Sequence, residues 1–510
     1  MRKIGRFAII LFSILICSAA LTGCGGQETS DSPVSTESEP STPESSSPES
    51  SYPEPDSPPA EGNSSPELQN ATKLSNYLGS LYQSFEWSGA VRDPMREELE
   101  IRNANDYVAL TETDKATLFS TAMDRAIIAQ IGGMGSAKIA PDADQPNDQF
   151  SRYMDALIID GGAQWRSVVK NRAEEVSLTL PEGAVFYWQI GNEINASSYT
   201  RNAVLYFDNE TGGLSNEAFG LKVYVEYFLA PTLQALAEAE VTTNAKIKAA
   251  LGSVSAFSAP DSQVFLNDLL NYTIEGTFAS ALSGRRVYEV IDLITIHYLG
   301  HSFNDANPEH WRETLTMLHN TWLHEGIDGV WITEEVGINL AQGGLGAGSA
   351  IAIAGRYLQW VFDNQLTPLQ AQWFYYGTSA GPEGQRISDA MSDIYRLTGG
   401  QPVTLAHTDI SPEGVESRVF IVTDEPAALL QISAFADQEV SLDTLVIDGD
   451  RYSELVIEHN IQGQIEEATL YTRHGTSPIT VPVEHGNSRL IIDLSAVALT
   501  RLESILVKMY

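Results

Sequence analysis

The stretch Val185-Phe-Tyr-Trp-Gln-Ile-Gly-Asn-Glu-Ile-Asn195 contains an apolar run that stops at a glycine. The run extends from Val185 to Ile190, and a polar Asn192-Glu193 pair follows the glycine. A continuous apolar run is typical of a buried strand in a parallel sheet, because both faces of such a sheet are covered. In parallel α/β folds the chemistry lies at the carboxyl ends of the strands. Since a carboxylate is costly to remove from water, Glu193 is a candidate functional group.

Similar apolar runs alternate with helical patterns through the middle of the chain. Further strands are predicted at 127–131, 245–251, 329–333 and 371–376, and another ends at His297. Helices are predicted at 150–159, 165–173, 219–239, 262–272, 308–324, 350–364 and 386–397. This βαβα order requires parallel strands joined by right-handed crossovers. The length of the region, residues 69–400, favours an eight-stranded (β/α)8 TIM barrel over an open sheet.

The pattern changes at about residue 401. Short apolar or alternating runs follow, separated by turns rich in Gly, Pro, Asp and Asn, and they cover 419–422, 428–433, 470–472, 490–494 and 504–508. No long helical period is visible in this part of the sequence. Residues 401–510 are therefore predicted to form an all-β sandwich after the barrel.

Residues 1–24 have the pattern of a secretory signal peptide, with a basic start and an apolar segment over residues 7–20. The ending Leu21-Thr-Gly-Cys24 resembles the bacterial lipobox, in which the cysteine becomes the lipidated first residue. An uncleaved transmembrane anchor is the alternative, but the apolar segment is short for a membrane span. We predict lipidation at Cys24 and a lipid-anchored position on the extracytoplasmic face of a bacterial cell membrane. The other cysteine, Cys17, lies in the leader, so the mature chain has no disulfide.

Residues 25–68 consist largely of Ser, Pro, Glu, Thr and Asp, with almost nothing apolar. Such a segment cannot bury enough surface to offset the entropy lost on ordering, so a disordered tether is predicted. Its acidic residues supply part of the formal net charge of −37. A chain this acidic is not expected to bind nucleic acid.

The predicted strands end in side chains that are unusual for a barrel core. They are Asn192 with Glu193, His297 with Tyr298, Glu334 with Glu335, and Trp373. In one barrel these strand ends meet at the same rim. Two carboxylates across a cleft are what glycoside hydrolysis requires, since one protonates the leaving oxygen while the other attacks the anomeric carbon or activates water. An aromatic ring beside them can pack against the C–H surface of a sugar.

These residues resemble the motifs of the retaining (β/α)8 glycoside hydrolases of clan A. Trp188-Gln-Ile-Gly-Asn-Glu193 is similar to the motif of the fourth barrel strand, in which the Glu is the acid/base and the Asn binds the sugar 2-hydroxyl. Trp331-Ile-Thr-Glu334 resembles the seventh-strand motif that ends in the nucleophile. The resemblance implies that a His or Tyr of strand six, here His297 or Tyr298, contacts the nucleophile. It also implies that Trp373 of strand eight lines the sugar subsite.

Either of two neighbouring carboxylates could be the nucleophile. The Trp-Ile-Thr before Glu334 matches the family motif, whereas the Glu-x-Gly that the family usually has is formed here by Glu335 and Gly337. Side chains alternate along a strand, so only one of the two glutamates can face the site. We predict Glu334, because the preceding Trp-Ile-Thr sets the register. The basic or aromatic residues of the family's first two strands have no clear counterpart here.

Two functional hypotheses follow. The first is a membrane-anchored retaining glycoside hydrolase that acts on an oligo- or polysaccharide without a cofactor. Its predicted site consists of Glu193 and Glu334 for catalysis and of Asn192, His297, Tyr298 and Trp373 for substrate binding. The second is a non-catalytic carbohydrate- or solute-binding lipoprotein on a degenerate barrel, although a solute-binding protein should have two similar α/β lobes. The histidines are dispersed along the sequence, which argues against a metal site.

Overall fold

A computed structural model describes residues 74, 78–82, 100–101, 126–131, 140–141, 144–178, 185–243, 247–257, 259–297, 309–335, 346–376, 382–398, 401–407, 413–423, 425–448, 461–462, 464–472, 475–486 and 489–510. The chain divides into Met1–Glu67 and Leu68–Tyr510, and every described residue belongs to the second unit. The predicted leader with Cys24 and the whole of the predicted tether lie outside the described residues, as do Tyr298 and the side chains of Glu334 and Glu335.

Parallel strands, hydrogen-bonded in chain order, form a closed barrel in the first part of this unit. They are β1 (Leu78–Tyr82), β2 (Glu100–Ile101), β3 (Ala126–Ile131), β4 (Val185–Asn192), β5 (Ile247–Ser253), β6 (Leu293–His297), β7 (Gly329–Glu335) and β8 (Trp373–Tyr376). Strand β8 also pairs with β1, with Leu78 opposite Trp373. The prediction of a parallel sheet over this region is confirmed.

Helices lie between the strands and pack on the outside of the barrel. Within the described residues they are α1 (Asp148–Ile158), α2 (Ala163–Ser177), α3 (Ser197–Tyr206), α4 (Asn216–Val223), α5 (Ala230–Thr243), α6 (Pro260–Asn271), α7 (Glu309–Trp322), α8 (Gly346–Asp363) and α9 (Pro382–Leu397). Short 3₁₀ turns occur at Ile159–Gly162, Ser280–Leu282, Val287–Glu289 and Leu323–Glu325. A π-helical segment, Tyr224–Leu229, joins α4 to α5 within the single helix predicted at 219–239.

The amino-terminal end of the barrel is closed by packed rings and ion pairs. Tyr187 and Trp331 lie edge to face inside the barrel, with their ring centroids 5.1 Å apart. Lys248 Nζ lies 2.6 Å from Asp292 Oδ1 and 3.1 Å from Asp328 Oδ2. Burial alone would lower the pKa of Lys248, but its hydrogen bonds to the two aspartates and their charges raise it, so the ammonium group stays charged. The opposite, carboxyl end of the strands carries the predicted site.

The carboxy-terminal region consists of antiparallel sheets. Its strands are β9 (Val403–His407), β10 (Val415–Val422), β11 (Ala428–Ala434), β12 (Val440–Ser441), β13 (Leu445–Asp448), β14 (Ile465–Tyr471), β15 (Thr476–Pro478), β16 (Val483–Gly486), β17 (Arg489–Ile492), β18 (Ala498–Leu499) and β19 (Ser504–Met509). A six-stranded sheet has the order β15-β14-β19-β11-β10-β9, and a three-stranded sheet has the order β13-β17-β16. Apolar side chains of both sheets share one core. The prediction of an antiparallel, all-β region is confirmed.

The six-stranded sheet packs its other face against helix α8, which is therefore buried on both sides. Phe420 and Leu429 of this sheet belong to the core that surrounds the barrel. A Cβ atom at Gly355 of α8 would overlap the side-chain amide of Gln431. A Cβ atom at Gly348 would lie 2.6 Å from the carbonyl oxygen of Tyr471 in β14. The helix therefore carries glycine where the sheet approaches it most closely.

Candidate active site

Two glycines shape the carboxyl ends of β4 and β5. Gly191 has a φ of +98°, which favours glycine, and a Cβ atom there would lie 3.0 Å from Ile194 Cγ2. A Cβ atom at Gly252 would overlap the carbonyl oxygen of Ile190. The hydroxyl of Tyr224, from the π-helical segment, donates to that oxygen at 2.6 Å and accepts from the Gly252 amide at 3.2 Å. The Tyr224 hydroxyl thus links the ends of β4 and β5 by hydrogen bonds directly before Asn192 and Glu193.

Glu193, directly after β4, has a left-handed backbone conformation with a φ of +51°. Non-glycine residues seldom adopt this region, and such strained conformations concentrate at functional sites. The amide of the next residue, Ile194, donates to the Ser253 carbonyl at 3.1 Å, and the amide of Ala196 donates to the Glu193 carbonyl at 3.0 Å. The chain therefore turns sharply at Glu193 and is held in that turn by β5.

The side chains of Glu193 and His297 meet at the ends of β4 and β6. His297 Nδ1 lies 3.2 Å from Glu193 Oε1, and each side chain is 1% exposed. In the tautomer with its hydrogen on Nδ1, the imidazole donates to the carboxylate. Two residues predicted from separate strand ends are thus brought into contact in a nearly water-free environment. The resemblance implied a contact between His297 and the nucleophile, and that contact stays a prediction because the side chain of Glu334 lies outside the described residues.

Asn195 holds the turn after Glu193 against the loop that follows β5. Its Nδ2 donates to the carbonyl of Ser255 and to Ser262 Oγ, at 3.0 Å in both cases. Its Oδ1 accepts from the amide of Ser255 at 2.8 Å. No role was predicted for Asn195. An amide side chain directly after a strand end was the available signal, because Asn bonds readily to nearby backbone groups.

Strand β7 brings the backbone of the two candidate nucleophiles to the same rim. The Cα of Glu334 is paired with that of His297, and the Cα of Glu335 is paired with that of Tyr375. Both ladders shift register after Ile332, so simple alternation counted from the start of the strand does not decide between the two glutamates. The choice of Glu334 over Glu335 stays a prediction.

Asn192 and Trp373, the other predicted substrate-binding residues within the described part, lie in different environments. Asn192 is partly exposed at the end of β4, and its Cα is paired with that of Ser253. Trp373 is fully buried, and its ring centroid lies 6.3 Å from that of Tyr357 on α8. Its register partner Ile332 belongs to the same core as both rings. The structure therefore places Trp373 in the packed layer between strand and helix, where its aromatic character serves packing.

The described residues lack both a cluster of metal-ligating side chains and a helix suited to crossing a membrane. Among them, no three His, Cys, Asp or Glu side chains come together in a way that could hold a metal ion. Over the same ranges, none of the helices combines the length and the apolar character needed to cross a membrane.

Similarity to known proteins is confined to solved structures. No protein-family model matches the chain, and no curated protein matches it. Among solved structures, a family 51 α-L-arabinofuranosidase from Bifidobacterium longum is 12% identical, covering 86% of this chain and 88% of that chain, with a TM-score of 0.42. A glucosidase from Croceicoccus marinus is 11% identical, covering 86% of this chain and 96% of that chain, with a TM-score of 0.44. With similarities this low, the residues of this chain alone carry the functional inference.

Proposed function

We propose that this chain is a retaining glycoside hydrolase in which Glu193 is the acid/base and Glu334 is the nucleophile. The observation that carries the proposal is the buried contact between Glu193 and His297 at the carboxyl ends of barrel strands. The role proposed for Glu334 is supported by the pairing of its backbone in β7 with that of His297 in β6. A strained, buried carboxylate at this end of a parallel barrel is costly to maintain and fits a catalytic role.

In the proposed first step, protonated Glu193 gives its proton to the glycosidic oxygen while the Glu334 carboxylate attacks the anomeric carbon. The bond from that carbon to the leaving oxygen breaks, and a covalent glycosyl-enzyme forms with a neutral alcohol as the leaving group. In the second step, ionised Glu193 takes a proton from water, and the water oxygen attacks the anomeric carbon. The bond to Glu334 breaks, and the sugar leaves with its original configuration. No cofactor takes part.

His297 and Asn192 would act on the catalytic pair and on the sugar. A hydrogen on His297 Nδ1 stabilises the carboxylate form of Glu193, which the second step requires. Asn192, next to Glu193 and partly exposed, is available to bond a sugar hydroxyl. We leave Trp373 out of the proposed sugar site because its ring has no exposed surface.

The proposal is tested by an activity panel with the wild-type chain. The panel consists of the 4-nitrophenyl derivatives of α-L-arabinofuranose, β-D-xylose, β-D-glucose and β-D-glucuronic acid, together with the corresponding oligosaccharides. Proton NMR during cleavage should show that the first-formed sugar keeps its anomeric configuration. Inversion of that configuration would contradict the double displacement. Binding of a glycan without any cleavage would favour the non-catalytic alternative.

The choice of nucleophile is tested by two matched variants. Glu334→Gln should lower kcat on every cleaved glycoside by about 10⁴-fold or more, because no covalent intermediate can form. Glu335→Gln removes the same charge one residue further along and should retain activity within about tenfold. A 2-deoxy-2-fluoro glycoside with a 2,4-dinitrophenyl leaving group should label Glu334, as read by peptide mass spectrometry. Labelling of Glu335, or the reverse order of the two losses, would reassign the nucleophile.

We also propose that the chain is held at the extracytoplasmic face of a bacterial membrane by lipid on Cys24. The support is the basic and apolar leader that ends in Leu21-Thr-Gly-Cys24. Cys24→Ser should move most of the protein from the membrane pellet to the soluble fraction, because the lipid-accepting thiol is lost. Cys17→Ser, in the same leader, should leave the protein in the pellet. Equal incorporation of a labelled fatty acid into both variants would exclude lipidation at Cys24, whereas an unlabelled Cys24→Ser chain in the pellet would be held there by its uncleaved apolar leader.

A further inference from the structure

Buried hydroxyl groups on three neighbouring barrel strands form a hydrogen-bonded chain. Thr295 Oγ1 of β6 donates to the carbonyl oxygen of Leu251 at 2.7 Å. Ser253 Oγ of β5 lies 2.9 Å from Thr295 Oγ1 and 3.0 Å from Thr333 Oγ1 of β7. Each of the hydroxyl-bearing residues is completely buried. Thr295 is two residues before His297, and Thr333 is directly before Glu334. These hydrogen-bonded hydroxyl groups therefore lie next to the proposed catalytic residues.

The donor and the acceptor of each hydrogen bond between these hydroxyl groups are fixed. A hydroxyl group carries one hydrogen. Because Thr295 donates its hydrogen to the Leu251 carbonyl, Ser253 must donate to Thr295. The contact between Ser253 and Thr333 then needs the Thr333 hydroxyl as the donor. The bonds therefore run one way from β7, through Ser253 and Thr295, to the backbone of β5, and loss of the Ser253 hydroxyl would break two of them.

The hydroxyl chain meets β7 where the regular ladder is interrupted. On the β6 side, Ile296 is paired with Ile332 and His297 with Glu334, which leaves Thr333 without a Cα partner in that ladder. On the β8 side, the pairing also shifts after Ile332. A bulged residue lacks the ladder hydrogen bonds that would otherwise fix it, and bulges re-aim side chains next to active sites. The hydrogen bond from the Thr333 hydroxyl to Ser253 holds this bulge to β5.

We propose that Ser253 is a positioning residue for the nucleophile, because its hydroxyl holds the β7 bulge at Thr333 and thereby sets the position of Glu334. The inference rests on the proposed function, in which Glu334 attacks the sugar. Ser253 acts through Thr333 and the β7 backbone. A misplacement of about 1 Å can lower a reaction rate about 10²-fold, so a single buried hydroxyl at this bulge is sufficient for a large effect.

The test measures nucleophilic attack separately from sugar binding. The probe is the 2,4-dinitrophenyl 2-deoxy-2-fluoro derivative of the panel sugar that the wild-type chain cleaves, and the readout is the rate constant of covalent labelling by intact-protein mass spectrometry. Ser253→Ala should lower this rate constant by about 10- to 100-fold. KM for the matching 4-nitrophenyl glycoside should change less than about threefold, since the groups proposed to bind the sugar remain. Thr295→Ser, which keeps the hydroxyl, should label at close to the wild-type rate.

A matched control exists in the carboxy-terminal region. Ser433 of β11 is equally buried, and its Oγ lies 2.9 Å from Ser504 Oγ. Ser433→Ala loses the same chemical group and should leave the labelling rate constant unchanged. The proposal is overturned by wild-type labelling in Ser253→Ala, or by equal losses in both alanine variants. A wild-type chain that cleaves no glycoside overturns the proposed function and this inference with it. An active chain labelled on Glu335 overturns this inference and reassigns the nucleophile, but the proposed retaining hydrolysis still stands.

Discussion

Glu193→Gln should lower kcat/KM by about 10³-fold on glycosides with poor leaving groups, and by about tenfold or less on 2,4-dinitrophenyl glycosides. A positioned general acid contributes about 10²- to 10⁴-fold to such a reaction. Dinitrophenolate departs without protonation, so the missing acid affects its departure little. The measurement is a plot of log kcat/KM against the acidity of the leaving alcohol. The variant should show a markedly steeper dependence than the wild-type chain.

The same variant should be rescued by azide on the dinitrophenyl substrate. Hydrolysis of the glycosyl-enzyme needs a base that takes a proton from water, and the glutamine side chain cannot do so. Azide carries no proton that must be removed, so it attacks the intermediate directly. We expect kcat to rise at least about tenfold with azide and the product to be a glycosyl azide of retained configuration. A glycosyl azide of inverted configuration would assign Glu193 as the nucleophile instead.

A second buried glutamate provides the control for general effects of charge loss. Glu226 of the π-helical segment is completely buried and accepts from the amides of Glu275 at 2.7 Å and of Gly276 and Thr277 at 3.0 Å. Glu226→Gln should weaken the fold, because a charged acceptor of three amide hydrogens is lost. It should leave the leaving-group dependence unchanged. An equally steep dependence in both variants would mean that Glu193 is not the acid.

The parallel barrel strands could be predicted because their signal is local. The apolar runs around Ile131, Ile190 and Thr333 stop where the structure ends β3, β4 and β7, within two residues. Strand β2, with residues Glu100–Ile101 only, is too short to leave such a signal. The interruption of the predicted 219–239 helix was also missed, since it depends on Tyr224 reaching across to the ends of β4 and β5.

The candidate site could be predicted as a set of strand ends but not as a set of contacts. Glu193 and His297 were both named, yet their pairing depends on how far two strands separated by β5 extend towards the rim. Nothing in the sequence singles out Ser253. A serine in a barrel strand is ordinary as sequence, and its importance comes from Thr295 and Thr333, which lie 42 and 80 residues further along the chain.

The contact between the barrel and the six-stranded sheet is expected to make a large contribution to stability through Glu416. Arg356 of α8 and Arg418 of β10 are 0% and 1% exposed, and both donate to the Glu416 carboxylate, which is 23% exposed. Arg356 Nη2 lies 2.7 Å from Glu416 Oε1. Glu416→Gln would leave two buried guanidinium groups without their anion. We expect the free energy of unfolding to fall by about 3–5 kcal/mol at neutral pH, as measured by urea unfolding.

This loss should depend on pH in a defined direction. Burial alone raises the pKa of Glu416, but the charges and hydrogen bonds of Arg418 and Arg356 outweigh it and lower this pKa from 4.5 to about 2. A lowered folded-state pKa means that the carboxylate stabilises the fold fully above about pH 4.5 and loses this effect as the pH falls towards about 2. The difference in stability between wild type and Glu416→Gln should therefore be largest near neutral pH and shrink steadily below pH 4.5. Other carboxylates titrate in both proteins and cancel in the difference.

An exposed ion pair at the same interface serves as a control that distinguishes the effect of burial on stability from the effect of losing a charge. Glu467 of β14, 38% exposed, accepts from both terminal nitrogens of Arg396 on α9, which is 53% exposed. Glu467→Gln removes the same charge from a similar contact made by two hydrogen bonds. It should lower the free energy of unfolding by no more than about 1 kcal/mol, because water screens the pair and can solvate the arginine that remains. Equal losses in the two variants would mean that burial of the two guanidinium groups is not the cause. A loss in Glu416→Gln that stayed constant down to pH 3 would contradict the assignment of a charged Glu416, since a carboxylate that is already neutral has no charge for acid to remove.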